Sequence, residues 1–196
     1  MLHCDRVTFQ ILQRVVAYLA TTKDFTLRAR VNKGNEHDIF SDSDWAGDRA
    51  ILPHNTRSQS GTVIRLNGAP AVWKSQKQPV TTDSSAAAEI WALAQTVREA
   101  QHFQTRAHDL GINVPNPMQI QVDATGALSF QGRTCQHSKL RGVFELKEAI
   151  WHELRDKQRI EAVKVPGEDN LADLLTKCLH SGVFTNLVRK SLKWAR

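Results

Sequence analysis

Four acidic residues stand far apart in the chain, each where a short apolar run meets the end of a strand or helix. They are Asp42 after Ile39-Phe40-Ser41, Glu89 after Ala86-Ala87-Ala88, Asp123 after Ile120-Gln121-Val122, and Asp173 after Asn170-Leu171-Ala172. Carboxylates gathered in one place repel one another unless cations lie between them, and hard oxygen ligands of this kind suit Mg²⁺ or Mn²⁺. Such a set points to the divalent-ion chemistry of a two-metal nuclease. Residues so distant in sequence can be gathered only by the tertiary fold. Asp44 competes with Asp42, because strand alternation puts the two on one face. The apolar Ile39-Phe40 run favours Asp42 and leaves Asp44 as a loop cap or a group behind the ligands. An isolated Asp is ordinarily a solvated charge, and Asp173 taken alone would be an acid in the first turn of a helix. Zinc is a poor fit, because the eight histidines show no H-x-x-x-H or H-E-x-x-H spacing. His137 and His152 read as surface residues.

The elements that must position these acids are legible as periodicities. Phe9, Leu12, Val15, Val16 and Leu19 recur at helical spacing over Asp5 to Ala20 and predict an amphipathic helix. Thr21 to His37 reads as a connector whose β-prone Phe25 to Val31 piece pairs at a sheet edge. Strands are predicted at Asp38–Asp42, Gly61–Leu66 and Ala71–Lys74, with Asn67-Gly68 marking a hairpin between the last two. Asp83, Ser84 or Ser85 caps a long Ala-rich helix, Ala86 to Leu110, that stops at Gly111. A strand at Met118–Val122, a short helix at Ala124–Phe130, an amphipathic helix over Leu140–Lys157 and a strand at Ile160–Val165 follow. Helices over Asn170–Cys178 and Val183–Trp194 close the chain. Three consecutive strands, then helix, strand, helix and strand, give an α/β fold with a five-stranded mixed sheet, an antiparallel meander followed by parallel strands. In such sheets active groups collect at strand ends, where all four acids lie.

Composition sets broad limits. The 196 residues, 41% of them hydrophobic, suffice for one substantial core. A net charge of +6 is a mild bias toward polyanions. Three cysteines, Cys4, Cys135 and Cys178, lack C-x-x-C spacing, which argues against a disulfide framework and fits a reducing compartment, with the thiols buried or half-exposed. No apolar run approaches a membrane span and no signal-peptide pattern opens the chain, so the expected location is cytoplasmic, with a virus-like particle as the alternative. Trp45, Trp73 and Trp91 are expected to serve packing before stacking on bases. The tail carries Lys177, Arg189, Lys190, Lys193 and Arg196 with no acid, a solvated helix face or a grip on a duplex.

Five segments in order carry a further signal: Ser41-Asp42-Ser43-Asp44-Trp45-Ala46-Gly47-Asp48, Thr56-Arg57-Ser58-Gln59-Ser60-Gly61, Trp73-Lys74-Ser75-Gln76-Lys77-Gln78, Ser84-Ser85-Ala86-Ala87-Ala88-Glu89 and Asn170-Leu171-Ala172-Asp173-Leu174-Leu175-Thr176-Lys177. Together they resemble the ribonuclease H domain of copia-type LTR retrotransposon polyproteins over most of residues 36–180. The helix ending near Tyr18-Leu19 is similar to the segment joining that family's reverse transcriptase to its ribonuclease H. The resemblance implies residues 1–35 as a helix and connector resembling the end of a reverse transcriptase, 36–180 as a ribonuclease H-like domain, and 181–196 as a basic C-terminal helix. It implies cleavage of the RNA strand of RNA:DNA hybrids, two Mg²⁺ ions or Mn²⁺ in their place, and a reverse transcriptase domain as partner.

Asp42, Glu89, Asp123 and Asp173 match that family's metal-binding carboxylates. Asp42, rigidly mounted on a central strand, would bridge two cations about 3.5 to 4 Å apart. Glu89 and Asp123 would hold the ion on the leaving-group side, and Asp173 would help place the one that activates water. Crowding should raise some carboxylate pKa values, and metal binding should then release protons. Hybrid would be distinguished by its 2′-hydroxyls in a wide minor groove. Ser84 and Ser85 at a helix start, and Arg57, Lys74 and Lys77 on the meander, are the expected substrate contacts.

Three departures from the family pattern stand out. Ala87 replaces the first of two frequent glutamates and leaves Glu89 alone. Between Asp48 and Thr56 the chain is longer by about four residues, Ile51 to His54. The loop before the last acid, Pro166-Gly167-Glu168-Asp169, lacks the histidine that aids turnover in cellular ribonucleases H. That loss supports an alternative, a catalytically weak hybrid-binding or tethering module. An integrase or transposase would order its acids Asp, Asp, Glu, and a proofreading exonuclease would want Asp-x-Glu on the first strand. Neither order is present.

Overall fold

In the computed structural model, residues 6–24, 26, 36–47, 56–124 and 141–192 are described, without the side chains of 141–148 and 192. Several expectations lie outside them: the strand piece at 25–31, the helix at 124–130, the insertion around 51–54, the positions of His137, Cys4 and Cys135, and the terminal Lys193 and Arg196.

The first strand, β1 (His37–Asp44), is buried along five consecutive residues and forms the middle of the sheet. Ile39 faces one apolar cluster and Phe40 the other, so β1 is covered on both sides. Its antiparallel neighbour β2 (Gln59–Leu66) continues into β3 (Ala69–Lys77) through Asn67 and Gly68, whose φ values are 51° and 80°. Two consecutive left-handed residues are what a tight two-residue hairpin requires, and Asn-Gly supplies them at least strain. On the other side β1 pairs in parallel with β4 (Met118–Val122), and β4 with β5 (Ile160–Lys164). The five-stranded order is β3-β2-β1-β4-β5. The mixed sheet is therefore as expected, although each strand of the meander is longer than its apolar run. Polar residues such as Gln59 and Lys77 extend the ladders beyond the point where hydrophobicity marks them.

One face of the sheet carries α2 (Ser85–Asp109). Ser84 caps it, its side-chain oxygen accepting from Ala87 N. At the far end Gly111 N donates to His108 O and Ile112 N to Ala107 O, with Gly111 at φ 73°, a paired C-terminal turn that only a residue tolerant of the left-handed region makes cheaply. Ala88, Ala92 and Ala100 are fully buried and let the helix approach the sheet closely, while Leu93, Val97 and Phe103 fill the core with Ile39, Ile64 and Ile120. Each such Ile or Leu contributes about 1.5–3 kcal/mol by leaving water. The helix α3 (Arg141–Asp156) adds Trp151 and Leu154 to the same cluster.

The opposite face is smaller. There Phe40 and Val63 meet Leu171, Ala172 and Leu187, the last on α4 (Ser181–Leu192). The segment expected as an α-helix at Asn170–Cys178 is instead a 3₁₀ helix over Leu171–Leu175, preceded by a 3₁₀ turn at Gly167–Asp169. The segment packs closely against β2. A Cβ on Gly61 would lie 2.8 Å from both Ala172 O and Thr176 Cγ2. The bare glycine gives the 3₁₀ segment room to settle directly on the sheet.

The first helix, α1 (Arg6–Thr22), forms where the periodicity puts it, yet none of its residues is buried. Its apolar stripe, including Phe9, Leu12, Val16 and Leu19, is exposed, and Tyr18 makes an edge-to-face contact with Phe184 of α4 at 6.0 Å between ring centroids. Among the described residues no helix is long and apolar enough to cross a membrane.

Candidate metal centre

Each acid reaches the site from a different element. Asp42 lies on β1, one residue beyond Ser41, and is completely buried. Asp123 directly follows β4, the parallel neighbour of β1. Asp173 comes from the 3₁₀ segment and Glu89 from the second turn of α2. One oxygen from each of Asp42, Asp123 and Asp173 falls within 4.8 Å of the others. All are hard oxygen donors, the set that Mg²⁺ or Mn²⁺ prefers, so the residues present fit a divalent ion. Glu89 stands beyond that radius but near enough for its charge to be felt. Burial first, then the carboxylates of Asp42 and Asp123, push its pKa up to about 8.

Burying Asp42 without compensation would be costly. Both its oxygens are engaged. Lys177 Nζ lies 3.1 Å from Oδ1, and the Thr176 hydroxyl donates to Oδ2. The same ammonium is 2.8 Å from Asp173 Oδ1. Burial pushes Asp173 up to about 6, against the hydrogen bond from Lys177 and with help from the Asp42 charge. Burial works against the Lys177 charge, yet Asp42 and Asp173 more than offset it and raise its pKa above the ordinary lysine value.

Asn170 ties the site together from beneath. Fully buried, it donates from Nδ2 to Ser41 O at 3.1 Å and to Asp123 Oδ1 at 3.3 Å, while its Oδ1 accepts from Ala172 N. One amide thus links β1, the end of β4 and the start of the 3₁₀ segment. On the α2 side, the Thr96 hydroxyl donates to Ser41 Oγ at 3.0 Å and lies 2.7 Å from Thr62 Oγ1, pinning the helix to β1 and β2 behind the acids.

Asp44 is a cap. Its Oδ1 accepts from Gln59 N at 2.9 Å and closes the end of the β1–β2 ladder, outside the three-carboxylate group. Of the expected substrate contacts, Ser84 and Ser85 are exposed at the start of α2, and Arg57 is exposed before β2. Lys74 lies across from Thr62 and is turned to α2, where it pairs with Glu99 at 2.7 Å. Lys77 is half-buried opposite Gln59 at the Asp44 end of the sheet. Of the three tryptophans expected to serve packing, Trp91 is core, whereas Trp73 on the β2–β3 hairpin and Trp45, whose Nε1 donates to Thr82 O, are 60% and 44% exposed. Of the basic tail, Lys177 is drawn into the acid cluster and Lys190 pairs with Asp169, so neither is simply a solvated face. Cys178, expected to be buried or half-exposed, is exposed.

Asn170, Thr176 and Lys177 are the members of the site that residue-type reasoning passed over. All three lie in the motif around Asp173, and the signal available was the i, i+4 spacing of Asp173 and Lys177.

No protein-family model matches the chain. It is similar to two retrovirus-related Pol polyproteins of Arabidopsis thaliana, that of transposon RE2 at 33% identity over 91% of the chain and that of transposon RE1 at 32% over 92%. The chain spans 12% of the length of each. In fold it is similar to LC11-RNase H1, isolated from compost by a metagenomic approach, with a TM-score of 0.53 and 22% identity, covering 72% of this chain and 93% of that one.

Proposed function

Given that this chain belongs to the ribonuclease H-like domains of copia-type, retrovirus-related Pol polyproteins, we propose that it hydrolyses the RNA strand of RNA:DNA hybrids with divalent ions held by Asp42, Asp123, Asp173 and Glu89. The observation that carries the reading is the convergence of three carboxylates from β1, the end of β4 and the 3₁₀ segment within 4.8 Å. Bound ions would supply charge relief on the reacting phosphate and a water acidic enough to attack it.

The chain's own residues do the positioning. Asp42, fully buried on the central strand, anchors the centre. Asp123 is oriented by Asn170, and Asp173 is carried by a 3₁₀ segment seated on Gly61. Glu89 has its pKa pushed up to about 8, so near neutrality it carries a proton that must leave before it can act as a full ligand. A hybrid laid across this edge of the sheet would meet the exposed Ser84, Ser85 and Arg57, with Lys77 as a further phosphate contact. Mg²⁺ is the expected ion and Mn²⁺ a substitute. A reverse transcriptase domain is the expected partner, and the cytoplasm or a virus-like particle the expected setting.

The 3₁₀ turn at Gly167–Asp169 contains no histidine, which favours a second reading, a hybrid-binding module with slow chemistry. A labelled hybrid assayed with Mg²⁺ or Mn²⁺ separates the two. Cleavage of the RNA strand, absent for duplex DNA and lost in Asp42→Asn and Asp123→Asn, is expected. Binding without cleavage would favour the second reading, and cleavage surviving both substitutions would refute the assignment of the site.

A further inference from the structure

The acidic centre already contains a cation of the chain's own. Lys177 Nζ contacts Asp42 Oδ1 at 3.1 Å and Asp173 Oδ1 at 2.8 Å, bridging two of the three carboxylates that converge there. The other oxygen of Asp42 is held by the neutral Thr176 hydroxyl. A divalent ion seated between Asp42 and Asp173 needs the lone pairs that the ammonium holds, and two cations cannot share them at that distance. The Lys177 side chain is 37% exposed, so its flexible four-carbon stem has a route to solvent.

We propose that Lys177 is an internal counter-cation that holds Asp42 and Asp173 together while no divalent ion is bound and releases both carboxylates when one arrives. The proposal rests on the metal-centre reading above. It makes the metal-free site a closed state rather than an open cup of repelling acids. Divalent affinity then contains a competition with the tethered ammonium. Thr176 stays in place on Asp42 Oδ2 and keeps that carboxylate oriented through the exchange. Lys177 is thus a positioning residue, acting through the two carboxylates.

Lys177→Met retains the stem and removes the charge. Calorimetric titration of the full chain with Mn²⁺ alone is expected to show binding about tenfold tighter than in the wild type, the size of an ordinary coupling between two competing cations. Lys177→Arg, whose rigid fork engages carboxylates more persistently, is expected to bind Mn²⁺ more weakly than the wild type. The metal-free melting temperature of Lys177→Met should fall, and saturating Mn²⁺ should bring it back to that of the loaded wild type. On the unaltered chain, acetylation of the Lys177 amine, followed by mass spectrometry, should accelerate when Mn²⁺ is added. Unchanged or weaker Mn²⁺ binding in Lys177→Met, or a labelling rate indifferent to Mn²⁺, would overturn the proposal. Failure of the wild type and both variants to bind Mn²⁺ would instead defeat the metal-centre reading on which it depends.

Discussion

Binding of a divalent ion at neutral pH should expel about one proton from the protein. The source is Glu89, whose pKa is pushed up to about 8, with a smaller share from Asp173 at about 6. At pH 7 those values leave Glu89 roughly nine-tenths protonated and Asp173 roughly one-tenth, and an ion that requires both carboxylates ionised must displace about one proton in total. At pH 6 the two together should release roughly 1.5 protons, and by pH 9 only about 0.1. Apparent affinity for Mg²⁺ should therefore rise about tenfold per pH unit around neutrality and level off above pH 8. Calorimetry at fixed pH in two buffers of different ionisation enthalpy counts the protons directly. Glu89→Gln should cut the release at pH 7 to about 0.1 proton. Binding at pH 7 with no buffer-dependent heat would refute the reasoning, since it would mean that Glu89 is ionised in the metal-free protein or takes no part in binding.

Further expectations concern the scaffold. Gly61→Ala drives a methyl to within 2.8 Å of Ala172 O and Thr176 Cγ2, so urea denaturation should show a loss of about 1–3 kcal/mol, and hybrid cleavage should fall as the 3₁₀ segment lifts; unchanged stability would show that the segment does not depend on that bare position. Asn170→Ala removes donors to Ser41 O and Asp123 Oδ1 and an acceptor for Ala172 N, and should cost about 2–3 kcal/mol by the same measurement. Because Glu89 has a higher pKa folded than unfolded, its contribution is greatest below about pH 4.5 and is lost as pH rises toward 8. Metal-free melting temperatures should carry that downward trend and saturating Mg²⁺ should flatten it. A metal-independent pH profile would count against the raised carboxylate.

How much of this was readable from residues alone differs by element. The hairpin at Asn67-Gly68 and the long helix between Ser84 and Gly111 follow from local chemistry, since left-handed turns and caps depend on the residues that make them. Strand β4 was legible to the residue because Gly, Pro and Asn bound it sharply. The 3₁₀ segment was not. Leu171-Ala172-Asp173-Leu174-Leu175 has helical spacing, and neither its tighter winding nor its close seat on Gly61, far away in sequence, is written in that spacing. The convergence of Asp42, Asp123 and Asp173 could be suspected from a motif pattern but is created by parallel pairing of β1 with β4 and by Asn170. Lys177 was hidden for a related reason. A lysine four residues after an aspartate looks like a surface ion pair, and only the tertiary approach of β1 adds the buried Asp42 as its second partner. The amphipathic pattern of α1 foretold a helix and said nothing of what would cover its stripe.

The central claim, that acids from four elements form a seat for divalent ions, is tested most directly by crystals grown with Mn²⁺ and measured at its absorption edge. The account predicts anomalous density bounded by Asp42, Asp123 and Asp173, with Glu89 drawn in and the Lys177 ammonium displaced. The same carboxylates still bridged by Lys177 at saturating Mn²⁺, with no anomalous peak among them, would contradict it.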